Sequence, residues 1–271
     1  MAKLRSMPRQ RVGDIEIYYE IHGNGPQTLV LIRGLGSNLL SWYEQMPGLT
    51  RHFRCVVFDN RGAGRTDKPD APYSIRGMAA DTAGLIDALG IKRAALLGIS
   101  MGGMIAQEFA LNYQERLSCL VLGCTHFGGA GVVQAAPEIV GAVVAGPSAT
   151  PEQQKLQLKA VFCDETIERR PDVVEKHNRI RQQYPAPPFS FARQVQAVAA
   201  HNTSSQLDQI KVPTMVITGR EDRLVPPQNS KMIAERIAGA ILKALPGGHL
   251  FMAEYPEEFN RAVIEFVTAH P

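Results

Sequence analysis

The sequence is poor in cysteine and has no long hydrophobic run. Its 271 residues include four cysteines, and no two of them form a C-x-x-C pair, so we expect buried thiols kept reduced in the cytoplasm. No apolar stretch approaches the roughly 18–20 residues that span a bilayer. The basic segment at residues 1–11 also lacks the apolar centre of a secretory signal. We therefore expect a cytoplasmic protein with no membrane partner.

The sequence also lacks an excess of charge of one sign and the motifs of common cofactors. Lys and Arg number 29 against 26 Asp and Glu, a net charge of +3, and no basic run is interleaved with aromatic residues, so no nucleic-acid partner is expected. The glycines at 59–65 fit neither a dinucleotide fingerprint nor a P-loop. No His, Cys, Asp and Glu residues show metal-ligand spacing. The sequence thus predicts no cofactor and no metal.

Short apolar runs that alternate with segments of helical spacing dominate the rest of the chain. Hydrophobic residues make up 45% of it, enough for a large core. The predicted strands lie at 15–21, 27–33, 54–59, 94–99, 117–124, 213–219 and 240–245. The predicted helices between and after them lie at 42–49, 74–89, 101–113, 228–238 and from Pro256 onward. The alternation predicts the α/β class, with a mostly parallel sheet flanked by helices on both faces.

This alternation stops between residues 126 and 207. Prolines and a glycine pair separate segments of helical character there, at 152–162, 171–183 and 189–201. The strand pattern then resumes. We therefore expect one sheet domain formed by 1–125 and 208–271, interrupted by a helical cap insertion at 126–207.

Ser100 lies in a Gly-Ile-Ser-Met-Gly pentapeptide between an apolar run and a helical pattern. Strand, G-x-S-x-G and helix is the context in which the serine is presented on a sharp turn with its hydroxyl exposed. The following helix would direct its N-terminus at the reacting oxygen. We expect Ser100 to be a catalytic nucleophile.

A serine nucleophile needs a base and a group that orients the base. Asp222 and His249 each follow a predicted strand late in the chain, in the order Ser, Asp, His that this arrangement requires. Glu221, in the same loop, is the alternative to Asp222. His126 is the rival of His249 because it also leaves a strand end, and we expect it at the substrate instead.

Two backbone N–H groups are expected to form the oxyanion hole. One belongs to Met101, directly after the nucleophile, and the other to Leu35, in the glycine-rich turn after the strand at 27–33. Arg33 ends that strand and Trp42 follows the turn, and both are candidate substrate-binding residues. A buried guanidinium needs a partner. We favour an ion pair of Arg33 with Asp59, the alternative being a guanidinium that faces the pocket and selects anionic substrates.

These features resemble the α/β-hydrolase superfamily over essentially the whole chain. The elbow at 98–102 with the loops of Asp222 and His249, the segment 59–65 and the glycine turn after Arg33 carry the resemblance. Small esterases and 3-oxoadipate enol-lactonase-like enzymes with a helical cap are the most similar group.

The resemblance implies that Ser100 forms an acyl-enzyme, that His249 transfers the proton and that Asp222 orients His249. Some proteins of this class place the acid one strand earlier, where this chain has Cys124 and no carboxylate, which favours Asp222. The family usually has His-Gly where this chain has Arg33-Gly34.

The leading functional hypothesis is therefore a cofactor-independent serine hydrolase of small carboxylic esters or lactones, with a small molecule as its partner and no oligomeric state assigned. The alternative from another class is a ligand-binding receptor on the same fold with little or no turnover. Within the enzymes, a perhydrolase and a carbon–carbon bond hydrolase are the alternatives.

Overall fold

Eight strands form one sheet in the computed structural model, which describes residues 8–271. The strands are β1 (Arg9–Val12), β2 (Ile15–His22), β3 (Gln27–Ile32), β4 (Phe53–Phe58), β5 (Ala94–Ile99), β6 (Leu117–Gly123), β7 (Thr214–Gly219) and β8 (Ile241–Leu245). Their order in the sheet is β1-β2-β4-β3-β5-β6-β7-β8. The basic segment at 1–11, in which no secretory signal is expected, lies mostly at residues 1–7, outside the described residues.

The sheet is mostly parallel, as the sequence predicts. β1 pairs antiparallel with β2, and β2 pairs antiparallel with β4, whereas every later pair is parallel. In β5, β6 and β7 every residue is buried, which fits strands covered by helices on both faces. The carboxyl ends of β3, β5, β6 and β7 consequently meet at one edge of the sheet.

Eleven α-helices connect or flank these strands in the described part of the chain. They are α1 (Met46–Leu49), α2 (Ile75–Ala88), α3 (Met101–Asn112), α4 (Pro137–Ala145), α5 (Pro151–Val161), α6 (Asp164–Arg169), α7 (Pro171–Arg181), α8 (Pro188–Ala200), α9 (Gln228–Arg236), α10 (Phe251–Glu254) and α11 (Pro256–Thr268). Helix α2 begins where the sequence predicts it, because the Ser74 side chain accepts a hydrogen bond from Gly77 N at 3.0 Å. None of the described helices has the length and apolar character needed to cross a membrane.

The core consists of two apolar clusters, one on each face of the sheet. Helices α2 and α3 cover one face, where Met78 and Phe109 are buried against Leu96. Helix α11 covers the other face with Phe259 and Val263. Five helices, α4 to α8, lie in the chain between β6 and β7, where the strand pattern is interrupted.

Strand β1 and the helix predicted at 42–49 differ from the predictions, and helices α4, α6 and α10 are additional to the predicted ones. Strand β1 carries no apolar signal, because its residues alternate between exposed and half-buried positions at the end of the sheet. The helix predicted at 42–49 is divided into a 3₁₀ turn at Leu39–Trp42 and the short α1. Asn38 caps the 3₁₀ turn by accepting a hydrogen bond from Leu40 N at 3.0 Å.

Candidate active site

Ser100 occupies a strained turn between β5 and α3. Its φ is 59° and its ψ is −123°, a backbone conformation that is rare for a residue with a side chain and that is concentrated at functional sites. The turn is held on both sides: Ser100 N donates to Gly123 O at 2.9 Å, and Thr125 Oγ1 donates to Ser100 O at 2.8 Å. Fixed neighbours therefore maintain the strained conformation, and the side chain is presented in one place.

Close backbone approaches explain the two glycines of the pentapeptide. A Cβ at Gly98 would lie 2.1 Å from Gly102 O, and one at Gly102 would lie 2.2 Å from Ile32 O. Neither site has room for a side chain. The turn can consequently form only with glycine on both sides of the serine.

Asp222 and His249 form a buried hydrogen-bonded pair at the ends of β7 and β8. His249 Nδ1 lies 2.8 Å from Asp222 Oδ2, and the two residues are 4% exposed. Asp222 Oδ1 accepts hydrogen bonds from Leu224 N at 2.9 Å and from Val225 N at 2.8 Å. The carboxylate is thus locked in the orientation that holds the imidazole. Glu221 is exposed, so the structure places Asp222 and not Glu221 against His249.

The charge of Asp222 governs the proton affinity of His249. Burial by itself favours the neutral imidazole and would lower the pKa of His249. The adjacent Asp222 carboxylate, with a smaller contribution from Cys124, outweighs the effect of burial, so the pKa of His249 is raised well above its usual value. An imidazole of this kind accepts a proton readily and stabilises it against the carboxylate. That is the property required of a base that takes a proton from a hydroxyl.

A second carboxylate, Glu254 of α10, holds the His249 loop in place. Its Oε1 accepts from Gly248 N at 2.7 Å and its Oε2 accepts from Cys163 N at 3.0 Å. Leu250 N donates to Val161 O at 2.8 Å. The loop that carries His249 is thereby attached to the end of α5 as well as to the sheet.

Ser100 and His249 line one cavity of about 830 Å³, together with Leu35 and Met101. Met101 is the first residue of α3, where backbone N–H groups have no partner within the helix. A Cβ at Gly34 would lie 2.9 Å from the Cβ of Ser100, so the turn that carries Leu35 passes directly beside the serine. Both expected oxyanion donors therefore border the same space as the hydroxyl.

Helices between β6 and β7 provide the other walls of the cavity. Side chains of α4, α5, α7 and α8 line it, mostly apolar ones such as Val140, Leu158 and Val195. A volume of this size suits a small molecule.

His126 also lines the cavity, as expected from the sequence. Its Nδ1 accepts a hydrogen bond from Gly128 N at 3.1 Å, which leaves Nε2 to carry the proton of the neutral ring. Burial, and then the charge of His249, lower the pKa of His126 to about 4. His126 is therefore a neutral hydrogen-bond donor at the cavity wall, and the pairing with Asp222 favours His249 over it as the base.

The favoured ion pair of Arg33 with Asp59 is wrong. Arg33 takes part in none of the ion pairs among the described residues, and its Nε and Nη1 are buried without a hydrogen-bond partner. Both Asp59 oxygens are already engaged: Oδ1 accepts from Leu39 N at 2.6 Å and Oδ2 accepts from Arg65 N at 2.7 Å. Arg33 instead lines the cavity, which is the alternative interpretation.

Trp42 does not line the cavity, contrary to the expectation that it contacts substrate. It is fully buried, and the guanidinium of Arg33 lies over its ring with Cζ 4.8 Å from the centroid. The indole packs behind Arg33 because that stacking is favourable for a cation. Trp42 thus supports the arginine that borders the cavity.

Cys124 is a neighbour of the Asp222–His249 pair that the sequence does not identify as such. One possible ligand atom from each of these three residues lies within 4.8 Å of the others, and Cys124 has a φ of 36° at the end of β6. Three such groups could hold a metal ion, but Asp222 and His249 already bond to each other, and an ion would have to displace that bond. All four cysteines are free and buried.

Comparisons with known proteins identify the family to which this fold belongs. A profile of the alpha/beta hydrolase fold family matches residues 27–256. The 3-oxoadipate enol-lactonase 2 of Acinetobacter baylyi is 29% identical over 92% of this chain and 92% of that protein. A protein of Caulobacter sp. (strain K31) named carbamate hydrolase RutD is 32% identical over 93% of this chain and 96% of its own length.

Among solved structures, the enol-lactonase from Burkholderia xenovorans LB400 superimposes with a TM-score of 0.86 at 29% identity, covering 96% of this chain and 100% of that one. The resemblance to hydrolases of this fold, which the elbow and its two partner loops predict, is confirmed. From the profile match over most of its length, the chain belongs to the alpha/beta hydrolase fold family.

Proposed function

We propose that the protein is a cofactor-independent serine hydrolase of small carboxylic esters or lactones, with Ser100, His249 and Asp222 as its catalytic triad. The observation that carries the proposal is the buried Asp222–His249 pair, 2.8 Å between Oδ2 and Nδ1, at a cavity that Ser100 also lines from a strained turn. Names given to relatives, enol-lactonase and carbamate hydrolase, describe hydrolytic reactions and agree with it.

The reaction follows from these positions. His249 Nε2 takes the proton of the Ser100 hydroxyl as the oxygen attacks the substrate carbonyl, while Asp222 stabilises the imidazolium through Nδ1. The backbone N–H groups of Met101 and Leu35 stabilise the oxyanion, and each donor of this kind is worth about 3 kcal/mol of the barrier. His249 then gives its proton to the leaving alkoxide, and water, activated by His249, hydrolyses the acyl-enzyme.

We further propose that residues 126–207 form the cap that closes the cavity, and that 1–125 with 208–271 form the core. The helices α4 to α8 support this division, since they lie in the chain between β6 and β7, two strands that are neighbours in the sheet, and since α4, α5, α7 and α8 line the cavity that Ser100 also lines. The four free, buried cysteines are consistent with the cytoplasmic location that the sequence predicts.

Burst kinetics with p-nitrophenyl butyrate separate this function from a slow-turnover receptor. We expect a burst of p-nitrophenol equal to the enzyme concentration, followed by steady turnover. Ser100→Ala should lose both while its thermal unfolding stays close to wild type, since removing a triad nucleophile costs orders of magnitude. Ser37→Ala is the matched control, because Ser37 lines the same cavity, and it should keep most of the turnover.

A Ser100→Ala protein that retains more than about a tenth of the wild-type kcat would remove Ser100 from the mechanism. The same assay with lactones, thioesters, peracid formation and carbon–carbon cleavage substrates separates the hydrolase classes. Fastest turnover of an ester or lactone is the expected result, and preference for one of the other reactions would overturn the ester or lactone assignment.

A further inference from the structure

The charged side chains that line the cavity are all of one sign. Arg33 and Arg181 border it, and among the described residues that line it there is no Asp or Glu. The remaining polar lining groups are hydroxyls, amides and imidazoles. A cavity that is lined by a buried guanidinium, Arg33, and an exposed one, Arg181, and by no carboxylate carries a positive potential.

Arg33 is buried in a way that is costly for a structural arginine. It is 3% exposed, its Nε and Nη1 have no hydrogen-bond partner, and burial lowers the pKa of Arg33 to about 10. It therefore remains charged at neutral pH without a carboxylate beside it. Stacking over Trp42 offsets only part of the cost of burying a charge, so the described residues leave most of that cost uncompensated.

Arg181, in the last turn of α7, is an exposed residue that lines the same cavity. The structure gives it no ion pair within the described residues, and it lines the cavity beside His177 and Asn178. Burial, followed by the charges of Arg33 and Arg181, lowers the pKa of His177 to about 3. Arg33, His177 and Arg181 line the same cavity, and His177 stays neutral beside these charges.

This region adjoins the site of the reaction. Arg33 directly precedes Gly34, whose backbone passes so close to Ser100 that a Cβ at Gly34 would lie 2.9 Å from the serine Cβ. Arg33 O accepts a hydrogen bond from Asn60 Nδ2 at 2.8 Å, which fixes the end of β3. A charged group bound to Arg33 would therefore belong to the same small molecule as the bond attacked by Ser100.

We propose that Arg33, assisted by Arg181, forms a carboxylate-binding subsite, so that the substrates are esters or lactones that carry a carboxylate group. A carboxylate offers two oxygens in the plane that a guanidinium recognises. The proposal rests on the hydrolase function above, of which it names the substrate class.

Two matched pairs of esters test the proposal in the intact protein. In the first pair, the p-nitrophenyl monoester of glutaric acid is compared with the ester in which an isopropyl group replaces the carboxylate. In the second, the butyrate ester of p-hydroxybenzoate is compared with that of p-cresol, so that the charge lies on the leaving group. The readout is the ratio of kcat/KM for the charged and neutral members, and intrinsic reactivity cancels when variants are compared.

In at least one pair we expect Arg33→Met to lower this ratio by about 30-fold or more, the equivalent of about 2 kcal/mol at 1.4 kcal/mol per tenfold. Arg33→Lys should recover part of the ratio, and Arg181→Met should lower it by a smaller factor. Arg179→Met is the matched control: it removes an exposed arginine of the same helix that does not line the cavity, and its ratio should equal that of wild type.

Unchanged ratios in both pairs for Arg33→Met and Arg181→Met would overturn the subsite. Calorimetric binding of the glutarate monoester to Ser100→Ala, with and without Arg33→Met, gives a readout that does not need turnover. The two proposals can fail separately. If the wild-type protein hydrolyses no ester, but Ser100→Ala binds the monoester about 30-fold more tightly than Ser100→Ala with Arg33→Met, the proposed function is contradicted and the subsite is supported.

Discussion

Two neighbouring strand ends each carry a buried charged side chain, and the two side chains differ in whether the protein supplies partners for the charge. Asp59, after β4, is fully buried and surrounded by donors: Leu39 N, Arg65 N and, at 3.6 Å, Arg65 Nε. Arg33, after β3, is 3% exposed and has no anionic partner among the described residues. The two lie at the same edge of the sheet, since β3 and β4 pair in parallel.

The Asp59 charge is used within the fold, whereas the Arg33 charge remains available for a ligand. The Asp59 carboxylate ties the loop at 59–65 to the start of the 3₁₀ turn, because each of its two oxygens accepts a hydrogen bond from a backbone N–H group. The Arg33 guanidinium contributes nothing comparable to the fold, and it faces the cavity that Ser100 lines. Substitutions at the two positions should therefore change different properties of the protein.

The largest effect should come from the charge that orients the base. Asp222→Asn should lower kcat by about 10⁴-fold, because an amide favours the wrong tautomer of His249, and steady-state kinetics with p-nitrophenyl butyrate measure it. Glu221→Gln, in the same loop but exposed, is the matched control and should keep nearly full activity. Reversed results for the two variants would move the acid to Glu221.

Asp59→Asn should act on stability. An amide can accept only one of the two backbone hydrogen bonds and turns its NH₂ toward the other donor, so we expect the free energy of unfolding to fall by about 3 kcal/mol. The melting temperature would fall by roughly 6 to 12 °C. Asp70→Asn, whose side chain is 73% exposed in its ion pair with Arg193, should cost less than about 0.5 kcal/mol. Equal losses in the two variants would show that Asp59 does not hold its loop.

Arg33→Met should change the free energy of unfolding less than Asp59→Asn does, and any change should be a gain. Replacing a buried charge that lacks a partner with an apolar side chain of similar length should leave the free energy of unfolding unchanged or raise it by about 1 kcal/mol, since lost stacking on Trp42 is offset by relief of desolvation. Denaturant unfolding with Arg179→Met as the surface control measures this. A loss of more than about 1 kcal/mol would mean that Arg33 is a structural residue after all.

The smallest effect is a displacement of the pH profile. His249 must be neutral to accept the Ser100 proton, and Asp222 raises the pKa of His249, so kcat/KM should rise with pH along a limb centred above ~6.5, the value of an unperturbed histidine. The stabilisation that the protonated pair contributes is fully present below pH ~6.5 and is lost as pH rises through the raised pKa. Activity and this stabilisation thus change in opposite directions.

Glu221→Gln should leave the rising limb of the kcat/KM pH profile at the same pH as in the wild-type protein. A profile that is flat from pH 5 to 8 while chemistry is rate-limiting would contradict a histidine base.

Most of the sheet and the three triad candidates could be predicted from the sequence because their signals are local. Buried strands appear as short apolar runs, and the Ser100 turn needs glycine at two places where backbone atoms approach within about 2 Å of a would-be Cβ. Asp222 and His249 follow strand ends, and parallel strands bring such ends together. The edge strand β1 could not be predicted, because neither of its faces is fully buried.

The walls of the cavity could not be predicted because they depend on tertiary packing. His177 and Arg181 lie on a mostly polar helix, and nothing in the sequence near them indicates that they line the same cavity as Arg33. Arg33 itself is conspicuous in the sequence as a departure from the usual pattern. The prediction of its partner is wrong because the sequence cannot show that the Asp59 oxygens are already taken by the backbone N–H groups of Leu39 and Arg65.

Covalent labelling tests directly whether Ser100 is a nucleophile activated by a base. A fluorophosphonate reacts with a serine whose hydroxyl is activated by a base, and mass spectrometry of the digested protein locates the adduct. We expect one adduct per chain on Ser100, loss of esterase activity in proportion to labelling, slow labelling in Asp222→Asn and none in Ser100→Ala. Esterase activity that persists in fully labelled protein, or an adduct on a residue other than Ser100, would contradict this expectation.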